Sequence, residues 1–428
     1  MLRLALTAAV TFALVPAYSA YSADWPQYRG PAGDGTTPDK VSTNWAGGPK
    51  VLWKVPGGTG FSSFAVAGNR CFTIEGREEG SAQEILVARD LDSGKELWTA
   101  KVGSAEYGHG GGNEGAGDNK GGDGPRSSPA IVGNAVITLN ADLALNAHDA
   151  ATGKPLWTRD LMKEHDGRNI MWKNAASPLI EGGLVYVAGG GAGQSFLAID
   201  PKNGAVVGKS GDDTITHATP VAATILGQRQ IVFFTKTGLT ACEPKTMKQI
   251  WHADFPFNVS TAASPVVIGD VVYCSAGYNV GAAAFKVSKS GFDWKAEQIQ
   301  RWPGNKPLAN HWSTPVLFKG HLYGMFQFKD YAKGPIKCVA MPSGDVKWEK
   351  EGFGPGHAVL TNGNLLALSD AGELVLIAAK PDAYTELARA KVIDGKCWTT
   401  PVVSNGRVFV RSTKEAACVD LRAGVASR

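Results

Sequence analysis

The sequence predicts an all-β fold: an eight-bladed β-propeller of four-stranded antiparallel blades, its ring closed by an N-terminal strand. Two observations carry this. Two short phrases alternate along almost the whole chain with a period of roughly 40–50 residues, the repeat expected of propeller blades. The last unit also stops one strand short, while a strand with nothing before it stands near the N-terminus. The composition agrees. Of 428 residues, 43% are hydrophobic and 19% charged, with 53 glycines for turns and 12 tryptophans to anchor strands.

The first phrase is Ser/Thr-Pro, a few β-formers, a Gly turn and an aromatic strand. It reads "SSPAIVGNAVIT" at 127–138 and "ASPLIEGGLVYV" at 176–187. It returns as "ATPVAATILGQRQIVFF", "ASPVVIGDVVYC", "STPVLFKGHLYG" and "TTPVVSNGRVFV". "SSFAVAGNRCFT" and "GHAVLTNGNLLA" are degenerate copies, making eight. The second phrase is A-x-D-x-x-T-G, an apolar residue and Trp, as in "ARDLDSGKELW" and "AHDAATGKPLW". It is looser in "AIDPKNGAVVG", "ACEPKTMKQIW", "VAMPSGDVKW", "KVSKSGFDWKAEQIQRW" and "AAKPDAYTELA". Alternating V-x-Y-x patterns read as half-buried strands, and Gly, Asn and Asp as the turns between them. The eighth copy, "CVDLRAG", lacks a Trp strand, whereas "PKVLWKV" at 49–55 is one without a partner. The expectation is that Trp53 completes the last blade. Each Trp is read as a ring wedged against the neighbouring blade.

Residues 1–23 read as a secretory signal: Arg3, an apolar run to Ala17, then small residues, with cleavage between Ser19 and Ala23. Residues 24–48 form an N-terminal arm, and 49–428 the propeller. No stretch reads as transmembrane, and no cysteine follows the cleavage site to carry a lipid anchor. The six cysteines have no C-x-x-C spacing, and several stand where other copies carry Ala or Val, as Cys418 does against Ala198 and Cys274 against Val187. They are expected to be buried small hydrophobes, with room for one disulfide. The net charge of +4 gives no reason to expect a nucleic-acid partner.

The units resemble the pyrroloquinoline quinone (PQQ) repeat, and "DWPQYRGPAGDG" resembles the lead-in of secreted PQQ-like propellers. Two branches share that fold: the quinoprotein alcohol dehydrogenases and the BamB-like scaffold of the outer-membrane barrel assembly machinery. The resemblance implies a periplasmic or secreted protein. Its dehydrogenases stack the quinone on a disulfide between adjacent cysteines, and no two cysteines are adjacent here; there is no C-x-x-C-H haem site either. The leading expectation is therefore a monomeric binding or assembly scaffold, with a protein or polysaccharide partner on a propeller face and no assigned cofactor or catalytic residue. The alternative is a PQQ-dependent alcohol or sugar dehydrogenase, with PQQ and calcium, in which Arg126, Trp312 and Trp398 hold the quinone.

In a propeller the first strand of each blade lines the central channel. Residues two positions ahead of each Ser/Thr of the first phrase then ring one mouth: Phe61, Arg126, Ala175, His217, Ala262, Trp312, Pro355 and Trp398, flanked by Asn174, His311 and His357. Of these, Arg126, His217, His311, Trp312, His357 and Trp398 are the candidate ligand-binding set. Arg takes carboxylates in a bidentate fork and Trp stacks on planar groups. The three histidines come from different blades without a metal motif, so no metal site is assigned. The Gly-rich insert 105–126, with His109, Glu114, Asp118 and Asp123, reads as a flap over that mouth. "KDYAKGPIK" and "VKWEKEG" read as ordinary solvated turns, and no nucleophile elbow or phosphate loop is present.

Overall fold

Proline lacks an N–H and cannot open a ladder, so in six blades the innermost strand begins at the residue after it, at Ala130, Leu179, Val221, Val266, Val316 and Val402. From there each blade runs outward as an antiparallel meander. The first uses Ala65–Ala67, Arg70–Glu78, Ala82–Asp90 and Glu96–Ser104; the pattern repeats to give eight sheets. The computed structural model describes residues 24–78, 80, 82–107, 124–305, 308–326 and 329–422. The expected signal, and His109, Glu114, Asp118 and Asp123 of the insert, lie outside them. Among the described residues the one helix is Leu161–Glu164, and no helix is long and apolar enough to cross a membrane.

The ring closes as expected. Lys50–Pro56 pairs antiparallel with Glu415–Asp420, placing Trp53 opposite Cys418 in the eighth blade. A second clasp spans the same seam. Arg411 of the eighth blade, 1% exposed, donates to the carbonyls of Ser62, Ile74, Gly58 and Thr59 in the first blade's approach and second strand. Near it Glu75 is buried with Arg77 at 2.8 Å and Arg89 at 3.1 Å. Burial opposes ionisation of Glu75, but Arg411, Arg89 and Arg77 together hold its carboxyl below the usual range.

The pairing of Trp with Gly in the second phrase has a geometric cause. A bulge in the outer ladder beside Trp53, Trp98, Trp157 and Trp348 aims each ring at the next blade. The indole N–H of Trp53 donates to Leu91 O at 3.0 Å, that of Trp157 to Pro201 O at 2.8 Å and that of Trp348 to Lys380 O at 2.7 Å. For Trp53, Trp98, Trp157 and Trp302 the ring face lies on the glycine of the neighbour's turn, whereas Trp348, whose neighbour has no glycine there, packs against Tyr384. A Cβ on Gly94 would meet Trp53 at 2.7 Å, one on Gly153 would meet Trp98 at 2.5 Å, and one on Gly204 would meet Trp157 at 2.7 Å. These glycines also carry φ near +70°. The same residue thus makes the left-handed turn and leaves room for the indole.

One seam inverts the pair. The third blade has Gly208 where others have Trp, and the fourth has Met247 where others have Gly. Met247 is fully buried with Tyr186, Phe196 and Phe233, and the Lys245 carbonyl closes over Gly208. The side chain has moved from one blade to the other, keeping the layer filled.

The six cysteines fill such layers. All are buried free thiols, so the disulfide that the sequence left room for is not formed. They stand on separate strands and turns inside hydrophobic layers, and burial pushes Cys242 and Cys418 up to about 12.

A buried carboxyl at the foot of the Gly-rich insert is a further feature. Glu84 is 1% exposed; its Oε1 accepts from the Tyr107 hydroxyl at 2.6 Å and its Oε2 from the Ala141 N–H at 3.3 Å. Burial raises it to about 7 despite these bonds.

Three outcomes follow for denaturation. Gly153→Ala should cost about 2–4 kcal/mol, from the left-handed φ and the clash with Trp98. Gly133→Ala, with a similar φ but open space around it, should cost only about 1–2 kcal/mol. Gly208→Trp and Met247→Gly should each destabilise alone, and the double variant should recover about 1–3 kcal/mol of their sum in a double-mutant cycle. For pH, ionising Glu84 is penalised in the fold, so stability is lost as pH rises from the unfolded carboxyl range through 7. Glu84→Gln should flatten the decline in Tm between pH 6 and 8 by on the order of 2 °C.

Candidate functional site

At one end of the channel the lead-in to each innermost strand turns its side chain toward the axis. Phe61, Arg126, Ala175, His217, Ala262, Trp312 and Trp398 each stand four residues ahead of an innermost strand, and all seven line one funnel. It encloses about 1100 Å³, counting the part open to solvent. All six candidate ligand-binding residues meet there: Arg126, His217, His311, Trp312, His357 and Trp398.

Two expected members of the ring do not line it. The seventh blade lacks the Ser/Thr-Pro, so its inner strand starts early, at His357, which pairs with Leu368 and takes the place assigned to Pro355. Asn174 is buried, with its amide spent on the Asn140 and Ala176 carbonyls.

Below the ring, the hydroxyls of the first phrase clasp blade to blade. The N–H of Ser63 donates to Ser128 Oγ, Ser128 to Ser177 Oγ, and Ser177 to Thr219 Oγ1, each at 2.9 Å. Ser264 donates to Thr314 Oγ1 at 2.9 Å and Thr400 to Ser63 Oγ at 2.8 Å. The hydroxyl thus supplies an acceptor to the neighbour's lead-in strand, which has no ladder partner there.

The funnel wall is aromatic and cationic. Trp398 stacks on Phe61 at 5.0 Å and on Trp312 at 5.1 Å, and Tyr331 lies 5.9 Å from Trp312 and 5.6 Å from Trp398. Lys396 stands 4.3 Å over the Trp398 ring. Arg126 donates to the Trp172 carbonyl at 3.0 Å and lies 5.8 Å from the Tyr107 ring centroid. Arg126 and Lys329 are the cations on the wall, and no carboxylate is among its described lining residues.

The three histidines are neutral. Desolvation pulls each down to about 3, assisted at His217 by Arg126 and His311, at His311 by Lys329, and at His357 by Arg29. Their rings are spoken for. His217 Nε2 donates to the Lys173 carbonyl at 2.9 Å, His311 Nδ1 accepts from the Gly277 N–H at 3.2 Å, and His357 Nδ1 lies 3.1 Å from Thr400 Oγ1. Among the described residues no group of three His, Cys, Asp or Glu side chains could hold a metal ion.

Sequence reasoning missed Tyr28, Trp172, Tyr278 and Lys329, which also line the funnel. The stretch "KDYAKGPIK" is not a plain solvated turn: it brings Lys329 to the wall and stacks Tyr331 on the two tryptophans. The sequence does show an unusually long loop there, between His321–Met325 and Ile336–Ala340.

Tyr28 comes from the N-terminal arm, which crosses the channel against the inner strands. Trp25 bridges to Val66, the Pro26 carbonyl accepts from Ile131 N–H, and Gln27 brackets the backbone of Ile180. Thr36–Thr37 then adds a parallel fifth strand to the seventh blade, and Asp39 accepts from the Asn405 N–H in the eighth. The arm thus runs from the first three blades to the sixth and seventh, and its Tyr28 lines the funnel.

Comparison with known proteins agrees with this architecture. The chain matches the family described as outer membrane protein assembly factor BamB over residues 81–322 and 332–424. BamB from Moraxella catarrhalis is 15% identical with a TM-score of 0.58, over 88% of this chain and 99% of that one. The quinohemoprotein alcohol dehydrogenase from Comamonas testosteroni is 13% identical with a TM-score of 0.67, over 96% and 82%. The quinohemoprotein alcohol dehydrogenase ADHIIG from Pseudomonas putida HK5 gives 12% and 0.64, over 95% and 81%. At these identities the likeness is one of fold, and it spans both branches. No protein of curated function matches by sequence. With the repeat, the eight closed blades and a match over most of its length, the chain belongs to the PQQ-like β-propeller family described as outer membrane protein assembly factor BamB.

Proposed function

We propose that this protein is an exported, monomeric binding scaffold that docks an anionic group of a protein or extracellular polymer in its central funnel. The observation that supports this is the character of the wall: Arg126 and Lys329 amid Trp172, Tyr278, Trp312 and Trp398, without a carboxylate among the described lining residues. In a partly desolvated funnel such cations favour carboxylate, sulfate or phosphate groups, while the aromatic faces supply contact area. The neutral histidines line the funnel without adding charge. Residues 1–23, read as a secretory signal, would deliver the chain to the periplasm or beyond.

A second reading is favoured by the convergence of Arg126, Trp312 and Trp398 on one funnel: a PQQ-dependent dehydrogenase of alcohols or sugars. The fit is partial. Arg126 and Lys329 suit the carboxylates of the quinone, but Trp312 and Trp398 cover one another at 5.1 Å, and the described wall offers no carboxylate for a calcium ion. No catalytic step is therefore derived through the quinone.

Both readings are tested by titrating the purified protein with acidic and neutral oligosaccharides and peptides, and with PQQ with and without calcium, following tryptophan fluorescence. The scaffold reading expects saturable, salt-sensitive binding of acidic ligands, weakened about tenfold by Arg126→Ala. Calcium-dependent PQQ binding with dye reduction by an alcohol or sugar would establish the dehydrogenase instead.

A further inference from the structure

The N-terminal arm places a second arginine in the channel, next to Tyr28. Arg29 is 4% exposed. Its guanidinium donates to the Thr314 carbonyl at 2.6 Å, to the Asp34 carbonyl at 2.6 Å and to the Pro315 carbonyl at 3.0 Å. Its three hydrogen-bond partners are backbone oxygens, and among the described residues no carboxylate lies within ion-pair distance; the Asp34 side chain instead accepts from the N–H and hydroxyl of Thr36. Thr314 and Pro315 stand two and three residues beyond the wall residue Trp312, and neither they nor Arg29 are among the lining residues, so this charge sits behind the funnel lining.

Burying a guanidinium is costly even where carbonyl dipoles solvate it and a carboxylate, here that of Asp34, is near without pairing to it. Guanidinium does not escape by losing its proton. A residue that only pinned the arm would do so more cheaply as a neutral donor, as Gln27 does two residues earlier against Ile180. The charge has one evident effect on the funnel: it is the neighbour that helps keep His357 neutral. A buried cation behind a low-dielectric wall, only partly offset by Asp34, adds to the field of Arg126 and Lys329 inside it.

We propose that the arm is a working part of the ligand site: Tyr28 is a contact surface for the bound group, and Arg29, from behind the wall, sets the funnel's preference for anions. Arg29 is a positioning residue acting through its field, and Tyr28 is the direct contact. This inference rests on the funnel being a ligand site, and it identifies what selects the ligand's charge. The ligand class is an anion with a flat apolar body, small enough to enter a funnel of about 1100 Å³.

Two fluorescent probes of the same aromatic frame separate charge from shape: 1-anilinonaphthalene-8-sulfonate, an anion, and N-phenyl-1-naphthylamine, its neutral counterpart. The wild-type protein is expected to bind the sulfonate at least tenfold more tightly than the amine, with the preference reduced at high salt. Arg29→Met should cut that preference about tenfold while leaving the neutral probe's affinity nearly unchanged, and Arg29→Lys should keep most of it. Tyr28→Ala should weaken both probes about fivefold, and Tyr28→Phe should restore binding. If Arg29→Met does not fold, Gly35→Ala moves the arm another way: a Cβ there, at φ +83°, would meet Val316 at 2.6 Å and the Arg29 guanidinium at 2.9 Å. It should lower the preference and weaken both probes. A preference that survives both Arg29→Met and Gly35→Ala overturns the role of Arg29; unchanged affinities in Tyr28→Ala overturn that of Tyr28. Failure of the wild-type protein to bind either probe overturns the ligand-site reading itself, and this inference with it.

Discussion

The ring stands on one contact made repeatedly between neighbours: an indole lying on the glycine of the next blade's turn. Each such ring removes a large apolar area from water and satisfies its N–H on a carbonyl of the blade it covers. The contact is local, so stability accumulates seam by seam, as in other repeat proteins, and an open array would leave one blade face unburied. Closure by Lys50–Pro56 removes that exposed face. It also brings Trp53 onto Gly94, so the seam between the chain's two ends is built like the others. Arg411 reinforces that seam with buried hydrogen bonds to first-blade carbonyls, with the Glu75 carboxylate offsetting its charge.

Closing a ring of eight creates a channel, and the channel creates the site. Eight lead-in segments converge on one axis, so residues remote in sequence become neighbours without any loop being shaped for the purpose. The hydroxyl clasps hold these segments at fixed spacing, and the arm crosses the channel. The wall collects cations and aromatic rings, and desolvation strips the histidines of charge. The arm therefore both completes the fold and furnishes part of the lining.

Most of the ring was legible because it follows from a fixed offset. Where the Ser/Thr-Pro is kept, the residue two positions before the Ser or Thr reaches the axis, as Arg126, His217, Trp312 and Trp398 do. Where it is lost, the strand starts early and the offset fails, which is why His357 and not Pro355 lines the funnel. Tyr28, Trp172, Tyr278 and Lys329 belong to no repeat position. Their place depends on where the arm and the longer loops fold back, and no local pattern encodes that.

The sequence by itself determined the number of blades, their four-strand order, the closing strand and the identity of most wall residues. These depend on period, turn chemistry and the alternation of side chains, all of which are local. The tertiary structure decided that six cysteines stay thiols, that one seam exchanges Trp–Gly for Gly–Met, and that the N-terminal arm crosses the channel and puts Tyr28 in the lining. It also decided that Arg29 is buried behind the wall, held by carbonyls alone. Those outcomes turn on which surfaces meet across blades, and burial and electrostatic field are properties of the closed ring as a whole.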